Sequence, residues 1–497
     1  MRTLKLLLTA ILISALSTFS LSTKAQTGYY SPSLANFDSA MTNLLNTYDI
    51  PGGQLAITYQ GRLVYSRGFG LADTATNTAV CPDHIFRIAS LSKQITAITS
   101  MHLYEQGRIG LNDTVFGPNG ILNDPIYQTI LDPLVYGITV KHLLSHQGGW
   151  DRAISGDPMT NTYSIALTMA VPPPAPIETI IQYILSQQML DFAPGTSAAY
   201  SNLGFNILGK IIEKITNQNY ETYVRDTILA PLGITEMHDG RSLLINKFPN
   251  EVHYYDDPVA PLVSSIFDNT ILVPMQYGGI DMEAKKASGG WVASAQDLCK
   301  LMCAVDKFSS RPDFLSQATI DTMVQPTNHY VNGSPYALGW WINSSLNVWY
   351  HSGSLTGTMT FQARRNNKIN YAILANSDYS IGQYTALSNL VVNVMPTILS
   401  WPTLDLFDST AVCTPTSSIK MLAENPSFIT VYPNPTNSQF NFSVPSNVQL
   451  TNALGQLVSN QKCVTSIDIT GQPAGIYFVI ITDDNGKVLQ RSKIVKE

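Results

Sequence analysis

The chain has 497 residues, more than one ordinary domain needs, so we expect one large core with accessory segments. Hydrophobic residues make up 44% of the chain and charged residues 13%, which excludes a largely disordered chain. A net charge of -6 without a long basic run argues against nucleic acid or an acidic membrane surface as a partner.

The N-terminus has the pattern of an export signal. Arg2 and Lys5 supply positive charge, residues 6–16 are an apolar run too short to cross a bilayer, and Ala25 follows a stretch rich in small residues. The alternative is a permanent membrane anchor. No later segment is apolar for long enough to form a membrane helix. Residues 1–25 are therefore predicted to be a signal peptide, and we expect the mature protein to have no stable membrane span.

Residues 26–398 are predicted to form the main domain, on the basis of hydrophobic periodicity and turn residues. The predicted elements in chain order are helix 36–48, strands 54–59 and 62–70, helices 91–106, 140–145, 203–216 and 294–303, strands 337–342, 348–351, 358–364 and 370–374, and helix 383–395. Early strands, a helical middle and late strands favour one sheet built from both ends of the domain. Helices would cover its faces and a helical insertion would stand beside it, which is an α+β fold.

The hydrophobic periodicity of the sequence changes near residue 400. Residues 399–427 show no strong period, so they are predicted to be a linker. Residues 428–497 carry short strand patterns separated by turn residues, and residues 483–486 have the composition of a hairpin turn. The predicted strands are 428–432, 439–444, 448–451, 456–458, 465–469, 475–481 and 487–495. This region is predicted to be a small all-β module of the sandwich type.

Five cysteines are scattered over the chain without a zinc-binding spacing. Cys299 and Cys303 lie four residues apart on a predicted helix, so we expect them to pack rather than bind a metal. Export permits disulfides, but the sequence does not specify which cysteines pair. The chain has no H-E-x-x-H motif and no paired-cysteine pattern, so we expect neither a metal nor a cofactor.

The first candidate for chemistry is Ser90, in the motif S-x-x-K. A serine hydroxyl needs a nearby base, and Lys93 can serve if burial or neighbouring positive charge lowers its pKa from about 10.4. Residues three apart share a helix face, and a helix N-terminus favours negative charge. The pattern recurs at Ser417 and Ser459, but only Ser90 begins a strongly apolar helix. The alternative is a helix-capping serine followed by an exposed lysine.

Two further short motifs could complete a site. In Y-x-N, the phenol of Tyr200 can relay a proton and the amide of Asn202 can orient Lys93 or a substrate. In H-x-G, His351 and Gly353 stand at the end of a predicted strand, where glycine lets a substrate approach the backbone and the next amide can bind an oxyanion. Each motif is degenerate alone, and the alternatives are a turn residue beside a packed aromatic ring and a strand-end turn.

The order of these motifs is more specific than any one of them. A serine on an apolar helix, then Y-x-N in a helical insertion, then H-x-G on a late strand resembles the serine β-lactamases, especially class C, and the related D-alanyl-D-alanine peptidases and esterases. Residues 86–90, 142–146, 289–291 and 336–340 are similar to landmarks of that family, and the resemblance spans roughly residues 36–395. It implies an antiparallel sheet flanked by helices, a helical subdomain and a serine hydrolase of the penicillin-binding-protein type.

The resemblance also implies a role for each motif residue. Ser90 would be the acylated nucleophile, and Lys93 and Tyr200 would share its proton. Asn202 would position the substrate, and the amides of Ser90 and Ser354 would form the oxyanion hole.

One position departs from the family pattern. His351 and Gly353 stand in an H-S-G sequence where most class C β-lactamases have K-T-G. Lysine carries a constant charge that can hold a substrate carboxylate, whereas histidine near neutral pH need not. A small-molecule or peptide substrate is therefore expected, and esters, amides, D-amino-acid peptides and β-lactams all stay open.

The C-terminal module has a resemblance of its own. Residues 431–435, 452–456 and 475–477 are similar to the C-terminal sorting domain of type IX secretion substrates. This implies passage through the periplasm to the cell surface or medium, with the type IX machinery as a partner. An alternative is a β module that binds carbohydrate or protein, which would make the chain an adhesion protein. For the main domain, the alternative is a catalytically silent cell-wall or peptide binding protein.

Overall fold

The computed structural model describes residues 25–378, 382–408, 431–452, 456–482 and 488–497. The chain divides into two units, Met1–Ile419 and Lys420–Glu497, and each is described by itself. The predicted signal peptide, apart from Ala25, lies outside the described residues, and so does most of the predicted linker. No helix in the described part of the chain is long and apolar enough to cross a membrane.

An eight-stranded antiparallel sheet forms the centre of the first unit. The strands of this unit are β1 (Gln26–Gly28), β2 (Gly52–Tyr59), β3 (Arg62–Asp73), β4 (Thr78–Ala79), β5 (Phe86–Arg87), β6 (His238–Asp239), β7 (Val263–Ser264), β8 (Leu272–Val273), β9 (Trp291–Ala293), β10 (Tyr330–Val331), β11 (Ser334–Pro335), β12 (Trp341–Asn343), β13 (Val348–Leu355), β14 (Thr358–Arg365) and β15 (Ile369–Ala375). The central sheet has the order β1-β3-β2-β15-β14-β13-β12, with β4 on β3. Because β2 pairs with β15, the two ends of the domain meet inside one sheet, as predicted.

Helices cover both faces of this sheet. The α-helices are α1 (Ala35–Thr47), α2 (Ser92–Glu105), α3 (Val140–Leu144), α4 (Thr162–Thr168), α5 (Ile177–Gln187), α6 (Asn202–Thr216), α7 (Tyr220–Tyr223), α8 (Lys286–Gly289), α9 (Ala295–Cys303), α10 (Gln317–Val324) and α11 (Gln383–Val394). On one face α1 and α11 bury apolar side chains such as Leu45 and Leu387. On the other face a larger apolar cluster includes Ile98 of α2, Ile207 of α6 and Leu298 of α9. The α+β prediction is confirmed.

Two predicted strands need correction. The prediction of a strand over 337–342 is wrong for most of its length, because only Trp341–Asn343 is extended. The Ala337 N–H donates to Trp340 O at 2.8 Å, and Gly339 has a φ of +89°, so this stretch is a turn. The strand predicted over 348–351 continues to Leu355, since β14 pairs with it along its whole length. The H-x-G motif therefore lies within a strand and not at its end.

The second unit is all-β, as predicted. Its strands are β16 (Val431–Tyr432), β17 (Gln439–Asn452), β18 (Leu457–Asp468), β19 (Gly475–Thr482) and β20 (Val488–Lys496). They form one five-stranded sheet where two packed sheets were expected. Hydrogen bonds join Thr436 to Val495 and Glu497, so the sheet is nearly closed and resembles a barrel. Residues 483–486, the predicted turn, lie outside the described residues.

Several short strands predicted for this unit are parts of longer ones. Predicted strands 439–444 and 448–451 belong to β17, and 456–458 and 465–469 belong to β18. The register of β17 shifts between Asn441 and Ser446, next to Pro445, so the strand looks interrupted in sequence although it continues.

The described part of the predicted linker contacts the first unit. Trp401 stacks on Tyr59 with ring centres 5.0 Å apart, and the Leu63 N–H donates to Asp405 at 3.0 Å. Residues 401–408 are therefore packed, not free.

The cysteines of α9 are core residues. Cys299 and Cys303 are free and buried, as expected from their helical spacing. Among the described residues, no group of three or more histidines, cysteines and acids could hold a metal ion.

Candidate active site

Ser90 lies on the 3-10 turn Ala89–Leu91, directly before α2. The hydroxyl of Ser92 holds this turn, because it donates to Ala89 O at 2.7 Å and accepts the Trp291 N–H at 3.1 Å. Ala89 has a φ of +48°, in the left-handed region that residues with a side chain seldom occupy. Such strain persists only where the surrounding structure imposes it, and it is common at active sites. No side chain caps the turn or the helix, so Ser90 is not a helix-capping serine.

Lys93 follows one turn later and is completely buried. Its Nζ lies 3.2 Å from Ser90 Oγ, 2.7 Å from Asn202 Oδ1 and 2.6 Å from Ser288 O. The alternative of an exposed lysine beside a capping serine is therefore wrong. The three contacts direct the amino group to the Ser90 hydroxyl.

The protonation state of Lys93 follows from its surroundings. Burial lowers its pKa well below the usual range, because a buried charge loses its hydration. The carboxylate of Asp157 opposes this shift, and the positive charges of Lys285 and Arg152 add to it.

The hydrogen-bond geometry fits a neutral amine. The amide oxygen of Asn202 and the carbonyl oxygen of Ser288 can only accept, so they take the two hydrogens of an uncharged Lys93. The lone pair of that amine is then left for the Ser90 hydroxyl, which can donate its proton to it. The arrangement can therefore supply the base that a serine nucleophile requires.

Tyr200 lies against the same pair. Its hydroxyl lies beside the Ser90 side chain, and Lys93 Nζ lies 4.7 Å from the centre of its ring. The side chain is buried, and burial raises the pKa of Tyr200 well above its usual value. A phenol that stays protonated can donate a proton to a leaving group or relay one to it.

Asn202, the first residue of α6, is oriented at both ends of its amide. Its Oδ1 accepts from Lys93, and its Nδ2 donates to Asp157 Oδ2 at 2.6 Å. Asp157 thereby fixes which way the amide points. Of the two roles considered for Asn202, orienting Lys93 is the one that these contacts display.

His351 is buried and uncharged. Its Nδ1 lies 2.7 Å from Ser352 O, which can only accept, so Nδ1 carries the proton. Its Nε2 then accepts from the Tyr336 hydroxyl at 3.1 Å. Burial, together with the positive charge that Lys93 carries when it is protonated, lowers the pKa of His351 to about 3. The side chain that replaces the family lysine supplies no positive charge at neutral pH.

Gly353 brings strand β13 against the turn that carries Ser90. A Cβ at this position would lie 2.4 Å from Ile88 O and 2.9 Å from Ala89 Cβ, so only glycine fits. The next residue, Ser354, lies on the same strand, and its hydroxyl lies 3.4 Å from Asp378 Oδ2.

Asp378 was not predicted from the sequence. Its other oxygen accepts the Gly357 N–H at 2.8 Å, so it ties together the end of β13 and the following turn. Burial raises the pKa of Asp378 to about 6.

Two aromatic residues of the site were also not assigned a role. The ring of His146 lies 4.3 Å from that of Tyr200 and 4.7 Å from that of Tyr336, and its Nδ1 accepts the Ser201 N–H at 3.1 Å. His146 also matches H-x-G, and both residues lie in the stretches similar to family landmarks. That similarity was the available signal. Arg152 and Asp157 had no such signal, since no stretch similar to a family landmark includes them.

Two family comparisons extend these observations. Residues 37–393 match the Beta-lactamase family, and residues 430–497 match the Secretion system C-terminal sorting domain. The chain belongs to the beta-lactamase family, and its main domain has the fold of serine hydrolases. The C-terminal sorting domain indicates secretion and export to the cell surface.

Known proteins show how far the similarity extends. Protein flp of Staphylococcus aureus (strain MW2) is 26% identical over 361 residues, which are 72% of this chain and 66% of that protein. The chain thus spans slightly under two thirds of that relative's length. The octameric penicillin-binding protein homologue from Pyrococcus abyssi superposes with a TM-score of 0.56 at 20% identity, covering 93% of this chain and 98% of that one. D-amino acid amidase from Ochrobactrum anthropi SV3 gives a TM-score of 0.56 at 20% identity, covering 74% and 99%. At these identities the two structures show the fold alone.

Proposed function

We propose that this chain is an exported serine hydrolase that acts by acylation and deacylation of Ser90. The observation that carries the proposal is the 3.2 Å contact between Ser90 Oγ and Nζ of the buried Lys93. A serine hydroxyl is a poor nucleophile without a base, and a desolvated lysine is one of the few side chains that can provide one. Four motif residues, Ser90, Lys93, Tyr200 and Asn202, converge on this contact.

Acylation begins with transfer of the Ser90 proton to the neutral amine of Lys93. The Ser90 oxygen then forms a bond to the substrate carbonyl carbon, and the carbonyl oxygen becomes an oxyanion. Backbone amides of Ser90 and Ser354 stabilise that charge, an effect for which loss of one donor typically costs about 10²–10³ in rate. As the intermediate collapses, Tyr200 donates a proton to the leaving group and regains one from Lys93.

Deacylation repeats these steps with water. A water molecule gives a proton to the same base and attacks the acyl carbon, and the Ser90 oxygen leaves and regains its proton. The chemistry needs no cofactor, because proton transfer and charge stabilisation are supplied by side chains and amides.

The substrate is an ester, an amide, a D-amino-acid peptide or a β-lactam. The amidase named above acts on D-amino acid amides, as its name says, and it shares this fold. The neutral His351 favours esters, amides and D-amino-acid peptides over classical β-lactams, because the lysine that would hold a lactam carboxylate is replaced.

Export is proposed to run through the periplasm, with the type IX secretion machinery as the partner of residues 430–497. A signal peptide at residues 1–25 would direct the first step, and the C-terminal unit the second. Domain limits of 26–398 for the hydrolase, 399–427 for the linker and 428–497 for the sorting domain are proposed on the same basis.

A fluorophosphonate probe tests the catalytic part directly. An activated serine reacts with it and ordinary serines do not. Peptide mapping should place the label on Ser90, and Ser90→Ala should abolish labelling and turnover with little change in melting temperature. Ser459→Ala is the matched control, since Ser459 also stands in an S-x-x-K pattern, and it should label and turn over like the unaltered protein.

Three outcomes separate the hypotheses. Label on another serine, or full turnover in Ser90→Ala, would overturn the assignment. A folded protein with no label and no turnover on esters, amides, D-amino-acid peptides or β-lactams would favour the catalytically silent binding protein. Carbohydrate or protein binding by the full chain that is lost on removal of residues 431–497 would favour the adhesion protein.

A further inference from the structure

An unpaired cation lies at the face of the Tyr200 ring. The guanidinium carbon of Arg152 is 5.0 Å from the ring centre, and the Tyr200 hydroxyl lies beside the Ser90 side chain. The side chain of Arg152 is exposed. Across the described part of the chain, no residue forms an ion pair or a hydrogen bond with its guanidinium. A full positive charge therefore stands one aromatic ring away from the nucleophile.

The loop that carries Arg152 is fixed by its own hydrogen bonds. Asp191 Oδ2 accepts the Asp151 N–H at 2.6 Å and the Ser155 hydroxyl at 2.8 Å, and Asp151 Oδ1 accepts the Ala153 N–H at 2.8 Å. The two neighbouring carboxylates are thus bonded within the loop. They hold Arg152 in place without neutralising it.

The other basic side chains near Ser90 are not available to a ligand. Lys93 is buried among its three partners, and Lys285 is buried with its Nζ 2.8 Å from Met159 O. His351 occupies the position of the family lysine, but both of its ring nitrogens are bonded in a neutral ring. Of Lys93 and the two cations that act on it, Lys285 and Arg152, only Arg152 faces solvent.

The geometry points to Arg152 as the binding residue for a carboxylate of the substrate. A guanidinium presents two parallel N–H donors that match a carboxylate, and such bidentate pairs are stronger than neutral hydrogen bonds. Its charge also reaches the centre of the site, since it acts on both Lys93 and His146. The inference rests on the proposed hydrolase function and adds a substrate class to it: acyl compounds that carry a carboxylate on the part lying against Tyr200.

Paired esters test the inference and locate the carboxylate. In the acyl arm, para-nitrophenyl hydrogen succinate is compared with the neutral para-nitrophenyl butanoate. In the leaving-group arm, the meta-carboxyphenyl ester of butanoic acid is compared with its phenyl ester. Each pair is measured with the full chain, Arg152→Gln, Arg152→Lys and the control Lys141→Gln, which removes an exposed positive charge elsewhere in the same unit.

The expected result is selective. Arg152→Gln should lower kcat/KM for the acidic ester of one arm by about 10- to 100-fold, mainly through KM, and for its neutral partner by less than about threefold. Arg152→Lys should recover part of the loss, and Lys141→Gln should have no effect. The acidic ester should also lose rate as salt is added.

Two results would overturn the inference for different reasons. An equal loss for acidic and neutral esters in both arms would mean that Arg152 acts only by lowering the pKa of Lys93 and binds no carboxylate. The hydrolase function would then stand. No Ser90-dependent turnover of any of the four esters, together with no fluorophosphonate label, would remove the proposed function itself.

Discussion

Gly353→Ala should disrupt the packing of strand β13 against the turn that carries Ser90. The new Cβ would lie 2.4 Å from Ile88 O and 2.4 Å from Thr360 Oγ1. These two atoms are hydrogen-bonded to each other at 3.0 Å, so neither can turn away without breaking that bond. The φ of Gly353 is outside the left-handed region, so the change adds no backbone strain and acts through space alone.

The size of the effect follows from the distances. Real Cβ atoms almost never approach another atom closer than 3.0 Å, so the strand and the turn must separate by at least about 0.6 Å. Ile88 lies two residues before Ser90, so the nucleophile moves relative to the amide of Ser354. Because a 1 Å misplacement can cost about 10²-fold in rate, kcat should fall by about 10- to 100-fold. Overpacking should also destabilise the domain by about 1–3 kcal/mol.

The assay is steady-state hydrolysis of a neutral activated ester, with the melting temperature measured in parallel. Gly137→Ala is the matched control, because a Cβ there meets no atom within 4 Å, and it should leave both quantities unchanged. A Gly353→Ala protein with an unchanged melting temperature and full kcat would show that β13 does not form part of the reacting site.

Four further predictions follow from the same geometry. Because burial lowers the pKa of Lys93 and only the neutral amine can take a proton, kcat/KM should rise with pH along a limb well below the usual lysine value of 10.5. Tyr200→Phe should lower kcat by about 10²–10⁴-fold without unfolding the protein, measured on an ester with a poor leaving group. His351→Lys should raise the ratio of kcat/KM for a β-lactam to that for a neutral ester, since it restores the family cation. A chain ending after residue 408 should keep full kcat and its melting temperature, whereas one ending after residue 400 should melt several degrees lower, because it lacks Trp401 and its contact with Tyr59.

Each of these predictions has an outcome that contradicts it. A pH limb at the ordinary lysine value would mean that Lys93 is not the base. Full activity in Tyr200→Phe would leave the proton transfer to Lys93 alone. An unchanged or lower ratio in His351→Lys would remove the argument from the missing cation. Loss of kcat in the folded chain ending after residue 408 would contradict a purely sorting role for residues 431–497.

The helices with a clear apolar period depend mostly on local sequence, and for that reason they were predictable. The 3.6-residue period of apolar side chains places α2 and α6 within about one residue of their observed ends. The turn at Gly339 was missed because its apolar neighbours look extended in sequence, whereas its φ is +89° and a Cβ there would lie 2.4 Å from Ala97 Cβ. The joining of two predicted strands into β17 was missed because Pro445 looks like a break, and strand pairing is a long-range property.

The residues of the candidate site also differ in whether local sequence could predict their position. The spacing of Ser90 and Lys93 on one helix face is local, so the sequence predicts their contact. Tyr200 and His351 could be placed near them only through the family order of motifs. Asp157, Arg152 and Asp378 could not be assigned a role, because their loops reach the site through turns that no periodic pattern describes.

The sequence by itself therefore determined many of the helices and strands, which serine has a lysine one turn away, and which family the order of motifs resembles. Only the tertiary structure decided the chemical state of those groups. The pKa of Lys93 is lowered because helices α6 and α8 and their neighbours bury it, and they also supply two acceptors for its hydrogens. His351 becomes neutral because it is enclosed with a tyrosine and a carbonyl group, and burial penalises charge. Burial is a property of the whole packed domain, so a pKa cannot be read from spacing alone.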